Sequence, residues 1–385
     1  MLRGAEPAVP ARVLHVVEGL EHGAVESWLL RMLRHSQRRG LTTDWTFYCA
    51  LDRVGANDGQ ARALGARVIH SPVPLGRKAA FVRALRQELR QGGYAVLHAH
   101  HDLVSAVYLA AAAGLPLKRR IVHAHNADEA VPTPNRLKQR ILREPMRRTC
   151  LMLADRIVGN SHLSLQTFLG GQRCRGGRDS ILYYGVDPTP FCGAQAGKDT
   201  LRRELDLPAD ARILLFAGRL VPEKNPLFAV DALAALHARD SRVSGVFVGD
   251  GALALAVRER AIAKGLEDAV RFLGWRGDVP RIMAGSDWFI LPHPEQPSEG
   301  FGIAVVEAQL AGLPLLLSLG VTDAPLLPTA SFRRLPLSAG PDAWAVAAVD
   351  LAGGPRPSAR DAIRALAESP MEMDRALDAL LALHA

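Results

Sequence analysis

The chain has 385 residues, 48% of them hydrophobic and 5% aromatic, with 34 glycines and 25 prolines; this excludes low-complexity, collagen-like and disordered classes. The length exceeds what one hydrophobic core serves and predicts two domains. A balance of 47 Lys and Arg against 39 Asp and Glu, net +8, points to a phosphate-bearing ligand, an anionic membrane surface or nucleic acid as partner.

The first residues, MLRGAEPAVPARVLHVVEGL, place two prolines ahead of an apolar run too short for a signal peptide. The longest apolar stretch, Leu103 to Leu117, is interrupted by Ser105, Tyr108, Gly114 and Pro116 and falls short of the roughly 18 apolar residues of a spanning helix. Cys49, Cys150, Cys174 and Cys192 form no Cys-x-x-Cys pair, which fits a reduced, cytoplasmic compartment without structural zinc.

In chain order, Arg12 to Val17 reads as a strand. After Gly23, Val25, Trp28, Leu29, Met32 and Leu33 line one helix face. Strands follow at Thr43 to Cys49 and Arg67 to His70, then a helix with Phe81, Leu85 and Leu89 on one side. Further strands are expected at Ala95 to His98, Arg120 to Ala124 and Arg156 to Gly159. The second half repeats the rhythm at Ile213 to Ala217, Ser244 to Val248, Val270 to Leu273, Trp288 to Leu291 and Leu315 to Leu317. Strands alternating with helices predict parallel sheets covered on both faces. The Gly/Pro-rich stretch Asp187 to Gly197 marks the boundary between two doubly wound α/β domains. In such sheets ligands bind outside the carboxyl ends of the strands, so the loops after strands are the places to search.

One such loop, HPEQPSEGFG at 293–302, precedes a helix beginning at Ile303. A glycine-flanked loop opening a helix offers unpaired backbone amides to phosphate. Glu299 lies in the loop and Glu307 one turn into the helix, so both acids can face one cavity; singly, each reads as a solvated charge. A second loop, GRLVPEKNP at 218–226, puts Arg219 and Lys224 at a strand's carboxyl end, where a guanidinium and an ammonium can neutralise a diphosphate. Gly249-Asp250-Gly251 marks a tight turn after the next strand. No Gly-x-Ser-x-Gly elbow and no Gly-Lys-Ser/Thr phosphate loop occurs. Aromatic interleaving for nucleic acid is missing as well, so no nucleic-acid partner is expected.

The ordered series GRLVPEKNP, VFVGDG, VRFLGW, DWFILP and SEGFGIAVVEAQLAGLP, over about residues 212–318, resembles the nucleotide-sugar-binding domain of retaining glycosyltransferases of family 4. In the first half HGAVES at 22–27, HAHNAD at 123–128, ADRIVGNS and ILYYGVDPTPF are similar to that family's N-terminal segments, and the pattern is closest to the bacterial exopolysaccharide and capsule branch. The resemblance implies the GT-B fold: two Rossmann-like doubly wound domains facing each other across a deep cleft. Residues 1–190 would receive the acceptor, 191–368 would hold the donor, and a final helix in 369–385 would cross back to the first domain. It implies that Glu299 contacts the donor sugar, Glu307 the ribose, and Arg219 and Lys224 the diphosphate, joined by Gly218 and the backbone of Gly300, Phe301 and Gly302. Gly23 and Ala24 would approach from the first domain, and His125, or alternatively His123, would hydrogen-bond the sugar. The sequence departs from the family at Ala24, where a second glycine is usual, and at Tyr184, where relatives have Asn.

With no Asp-x-Asp in the sequence, diphosphate charge falls to the cations and a helix dipole rather than a metal. The histidine-rich strand end His98-Ala99-His100-His101 reads as polar sheet-edge residues, not a metal site. Net charge is +12 over residues 1–190 and −4 over 191–385. The excess is concentrated in Arg77, Lys78, Arg83, Arg86 and Arg90, and in Arg136, Lys138, Arg140, Arg143, Arg147 and Arg148, a basic amphipathic face suited to anionic lipid. The expectation is a metal-independent retaining transferase without a cofactor. It would move sugar from a UDP-sugar to a glycan or lipid-linked saccharide, peripherally at the inner face of the plasma membrane, in cell-surface polysaccharide synthesis. A nucleotide-sugar epimerase and a non-catalytic nucleotide-sugar-binding protein are the alternatives.

Overall fold

A computed structural model describes residues 11–21, 23–127, 136–192, 198–296, 298–354 and 358–385, without the side chains of residues 136–140 and 198. His22, Asp128, much of the 187–197 stretch and the side chains of Arg136, Lys138 and Arg140 therefore lie outside the described residues. The chain divides into two compact units, Met1–Gly185 with Met373–Ala385, and Val186–Glu372.

The first unit runs β1 (Arg12–Val17), α1 (Ala24–Arg38), β2 (Asp44–Cys49), α2 (Asp58–Ala63), β3 (Arg67–His70), α3 (Lys78–Gln91), β4 (Val96–Ala99), α4 (Ser105–Ala112), β5 (Arg119–Ala124), α5 (Arg136–Leu153), β6 (Arg156–Gly159), α6 (His162–Leu169) and β7 (Asp179–Ile181). Its described strands form a parallel sheet of order β3-β2-β1-β4-β5-β6-β7. One face carries Leu14, Val16, Tyr48, Leu97, Ala99 and Val122 and packs on the apolar sides of α3 and α4. That is the β-branched and Leu-rich surface a parallel sheet needs when helices cover it.

The opposite face differs. His15 pairs with His98 and, across β1, with Phe47. Because side chains alternate along a strand, His98, His100, His123 and His125 project on that same side. The covering elements are α1 and the C-terminal helix α14 (Met373–His384), which adds His384. The expectation of sheet-edge histidines is corrected here: β4 sits between β1 and β5, and His98 and His100 are 0% and 6% exposed.

The second unit runs α7 (Lys198–Glu204), β8 (Arg212–Ala217), α8 (Pro226–His237), β9 (Val243–Val248), α9 (Ala254–Ala263), β10 (Val270–Gly274), α10 (Val279–Gly285), β11 (Trp288–Leu291), α11 (Ile303–Leu310), β12 (Leu315–Ser318), β13 (Phe332–Leu335), α12 (Gly340–Gly353) and α13 (Ala359–Glu368). Its sheet, parallel throughout the described residues, has the order β10-β9-β8-β11-β12-β13. Leu214, Phe216, Phe247, Trp288 and Ile290 pack there against α8 and α12. The chain leaves the first unit at Gly185, where a Cβ would collide with Met32 Cε and crowd Ala376 of α14 to 2.9 Å. No helix among the described residues is long and apolar enough to cross a membrane.

The basic stretches are partly occupied by internal work. Arg147 is 5% exposed and bonds the Phe168 carbonyl and Glu144. Arg148 pairs with the same Glu144, and Arg86 donates to the carbonyls of Ala111 and Ala113. Arg147 is therefore removed from the expected lipid-facing surface, since its guanidinium is buried.

Candidate active site

In the second unit the strand order reverses between β8 and β11, the switch point at which open α/β sheets bind ligands. The loop after β8 is braced by the loop after β9: Gly218 N–H donates to Val248 O, and Leu220 N–H to Asp250 O, both at 2.9 Å. Gly249 and Gly251 make this approach possible. At φ +129° and +157° they adopt backbone that side chains disfavour, and a Cβ on either would run into the backbone of Gly218 or Leu220. The Gly-Asp-Gly turn thus fixes the loop that presents Arg219, which is exposed. Lys224 closes a single helical turn, and Asn225, left-handed at φ 48°, redirects the chain into Pro226 at the first position of α8.

Glu299 sits on the loop after β11. Its amide donates to Gly320 O at 2.8 Å, and Ser318 Oγ donates to His293 O at 2.5 Å, so the loops after β11 and β12 clasp each other. A Cβ at Gly320 would strike the carbonyls of His293 and Pro294. The Glu299 side chain, 12% exposed, pairs with Lys224 Nζ, and His293 Nε2 lies 3.5 Å from its Oε2. Burial pushes the Glu299 carboxyl up, but the charges of Lys224, His293 and Arg219 outweigh that and hold it below the usual carboxylate range. Burial lowers His293 in turn, against the pull of Glu299. Its Nδ1–H donates to Pro294 O at 2.9 Å, which leaves Nε2 as the ring nitrogen that faces Glu299. Sequence reasoning missed His293; its place directly after the strand WFILP was the available signal.

Gly302, at φ +80°, opens α11, and the Cβ it lacks would come within 3.3 Å of Glu299 Cγ. Gly300 and Phe301 are buried beside it, and Glu307 stands half-buried one turn into α11. Having no side chain, Gly302 cannot cap the helix, which leaves the first amides of α11 to a ligand or solvent. The structure therefore brings Arg219, Lys224, Glu299, Gly302 and Glu307 to one edge of one sheet.

In the first unit the order reverses between β1 and β4. Gly23 is the N-cap of α1 and Ala24 its first residue. The carboxylate of Glu26 folds back to where a Gly23 Cβ would stand, so an anion of the chain itself already meets this helix end. After β4, Asp102, at φ 40°, accepts from the amides of His125 (2.8 Å) and Asn126 (3.3 Å) and from Asn126 Nδ2 (2.7 Å). These bonds tie down the loop after β5.

His123 lies inside β5, fully buried, whereas His125 follows the strand and is 5% exposed. Both nitrogens of His125 are engaged: Nδ1 meets Tyr184 Oη at 2.7 Å and Nε2 meets His100 Nδ1 at 3.0 Å. In this conformation the imidazole is held inside the domain. Among the described residues of this loop the exposed one is Asn126. Burial depresses His125 to about 3, so the ring is neutral. Tyr184, which departs from the family pattern, also accepts from Asn160 Nδ2 at 3.3 Å and so anchors His125.

Residues 25–189 match the family described as Glycosyltransferase Family 4, and residues 197–322 match Glycosyl transferases group 1. EpsF of Bacillus subtilis (strain 168), named as a glycosyltransferase, is 27% identical over 378 residues, 96% of this chain and 95% of that protein. The Escherichia coli UDP-Gal:alpha-D-GlcNAc-diphosphoundecaprenol alpha-1,3-galactosyltransferase is 34% identical over 142 residues, 36% of either chain. Among solved structures, Anabaena HepE in complex with UDP and glucose superposes with TM-score 0.76 at 19% identity, covering 96% of this chain and 98% of that one.

Proposed function

The chain belongs to the glycosyltransferases of GT-B fold, a family 4 domain followed by a group 1 domain, and from that premise we propose that it moves a sugar from a UDP-sugar to a glycan or lipid-linked saccharide, with retention of anomeric configuration. The observation that carries this reading is the Lys224–Glu299 ion pair beside His293 at the switch point of the second domain.

In the proposed complex Lys224 turns from Glu299 to the diphosphate, joined by Arg219, Gly218 and the amides at the start of α11, Gly300, Phe301 and Gly302 included. Glu299 then accepts a hydroxyl of the sugar, His293 accepts another, and Glu307 takes the ribose. The acceptor hydroxyl attacks the anomeric carbon on the side from which the diphosphate departs. As the sugar–phosphate bond breaks, the departing phosphate oxygen takes the hydroxyl proton, so no protein base is required. Two cations and a helix N-terminus stabilise the charge developing on the leaving group without a metal or cofactor.

Gly23 and Ala24 would serve an anion once Glu26 swings aside, and His125 would act on the donor only after leaving its partners. UDP and glucose in HepE and the undecaprenyl-diphosphate-linked acceptor in the name of the Escherichia coli relative support the donor and acceptor classes. The +12 charge over residues 1–190 supports a place at the cytoplasmic face of an anionic membrane, and we infer a role there in cell-surface polysaccharide synthesis. The test is incubation with UDP-sugars and membrane lipid, reading UDP release and the anomeric configuration of the product. An inverted product would refute retention, and sugar interconversion without acceptor would make the protein an epimerase.

A further inference from the structure

The α1/α14 face of the first sheet gathers six buried imidazoles, those of His15, His98, His100, His123, His125 and His384, all under 7% exposed. Parallel sheets bury Val, Ile and Leu at such positions, and the transfer chemistry uses none of these rings except His125. Their nitrogens are poorly satisfied: His123 Nδ1 and Nε2, His15 Nε2, His98 Nε2 and His384 Nδ1 are buried without a hydrogen-bond partner. Unpaired buried polar atoms of this kind are costly, and a cluster of them calls for a bound species.

We propose that His100, His123 and His125 form a three-imidazole site for one imidazole-preferring transition-metal ion, Zn²⁺ or Cu⁺. Their ligand nitrogens lie within 4.8 Å of one another, and His100 Nδ1 and His125 Nε2 are 3.0 Å apart. That separation is close to the edge of a coordination shell with metal–nitrogen bonds of about 2.0–2.1 Å. His123, its ring 4.0 Å from that of His125, is the one member with both nitrogens unpartnered.

The outer shell already stands in place. With an ion between His100 Nδ1 and His125 Nε2, the other ring N–H groups donate to His15 Nδ1 at 3.0 Å and Tyr184 Oη at 2.7 Å. Such partners orient ligating histidines, and the change from hydrogen bond to coordination needs only a tautomeric shift. His15, His98 and His100 form a second set of close nitrogens, but His15 and His98 are 0% exposed. His100 and His125, at 6% and 5%, lie at the strand ends from which an ion can enter. Burial keeps these rings neutral, the form that ligates. Imidazole without carboxylate or thiolate selects zinc or copper over magnesium or calcium.

The test uses tag-free full-length protein, stripped with chelator and dialysed in separate arms against Zn²⁺, Cu⁺ under reducing conditions, and Co²⁺ as a spectroscopic reporter. The expected result is one ion per chain in the zinc or the copper arm, with X-ray absorption showing imidazole ligands alone. His123→Leu should cut the bound ion at least tenfold, whereas His98→Leu and His70→Ala should retain it. Should His123→Leu fail to fold, the absorption spectrum of the wild-type protein decides. Retention of no ion in any arm, unchanged binding by folded His123→Leu, or sulfur and carboxylate ligands, as Cys49, Asp58 and His70 would supply, would overturn the proposal.

Discussion

Lowering the pH should dismantle the first domain through its buried histidines before it affects the second. His125 and His384 are depressed to about 3, chiefly by burial. His15, His98, His100 and His123 are held well below the ordinary value by burial and by one another's charge. The unfolded chain regains a histidine pKa near 6.5. Because the folded values lie lower, their stability contribution is complete above about pH 6.5 and drains away as pH falls toward the folded values. Each ring that stays neutral costs about 1.4 kcal/mol per pH unit in that window, so His125 and His384 together cost about 3 kcal/mol per unit and the other four rings add to it. Domain stabilities are about 5–15 kcal/mol, which puts the acid unfolding midpoint within about two units below 6.5. Hydrogen exchange in chelator, resolved by domain and followed from pH 7.5 to 5, should show protection collapsing in Met1–Gly185 and surviving in the second domain. In His98→Leu the loss should be shallower by about one proton. Equal loss in both domains, or an unchanged slope in His98→Leu, would refute the reasoning.

Other expectations concern the donor half and the surface. Glu299→Gln and Lys224→Ala should each lower transfer by about two to three orders of magnitude while circular dichroism stays native, and Lys224→Ala should shift the acid limb of the rate profile upward, since Lys224 opposes the effect of burial on Glu299. Gly249→Ala, which drives a Cβ into Gly218 O at a left-handed φ, should destabilise the second domain by about 1–3 kcal/mol and raise KM for the donor; thermal unfolding and steady-state kinetics would check both. Glu26→Ala should strengthen donor binding severalfold if the α1 N-terminus receives phosphate, read by calorimetry. Replacing Arg136, Lys138, Arg140 and Arg143 by Ala should weaken binding to anionic vesicles by about 1 kcal/mol per residue; flotation that is unchanged would remove the membrane contact.

The alternation of the two sheets was legible because their strands are short β-branched or Leu-rich runs closed by glycine or proline. The strands that escaped notice are edge strands of unusual composition. Asp179–Ile181 is three residues long, and Phe332–Leu335 (FRRL) carries two arginines, a device that protects sheet edges and hides them from hydrophobic patterning. On the donor side, glycine punctuation, Arg219, Lys224 and Glu299 were readable because they fall in loops that follow strands, and Glu307 because it stands one turn into the helix that such a loop opens. The clasp between the loops after β11 and β12 was not, because it joins backbone atoms far apart in sequence. The histidine cluster was misread for a related reason. His98 alone looks like a polar residue at a strand end, and only the pairing of β1 with β4 and of β4 with β5 makes it one of six rings on a buried face. Likewise Arg147 reads as one cation of a basic face until its bond to Phe168 O is seen.

The most direct measurement is a reaction of the purified chain with a panel of UDP-sugars and bacterial membrane lipid, with product sugar followed by mass spectrometry and its anomeric centre by NMR. One UDP-sugar should release UDP only with lipid present, giving a glycosylated product of retained configuration that vanishes with Glu299→Gln. Turnover unaffected by Glu299→Gln, or nucleotide-sugar binding that never releases UDP, would contradict the account.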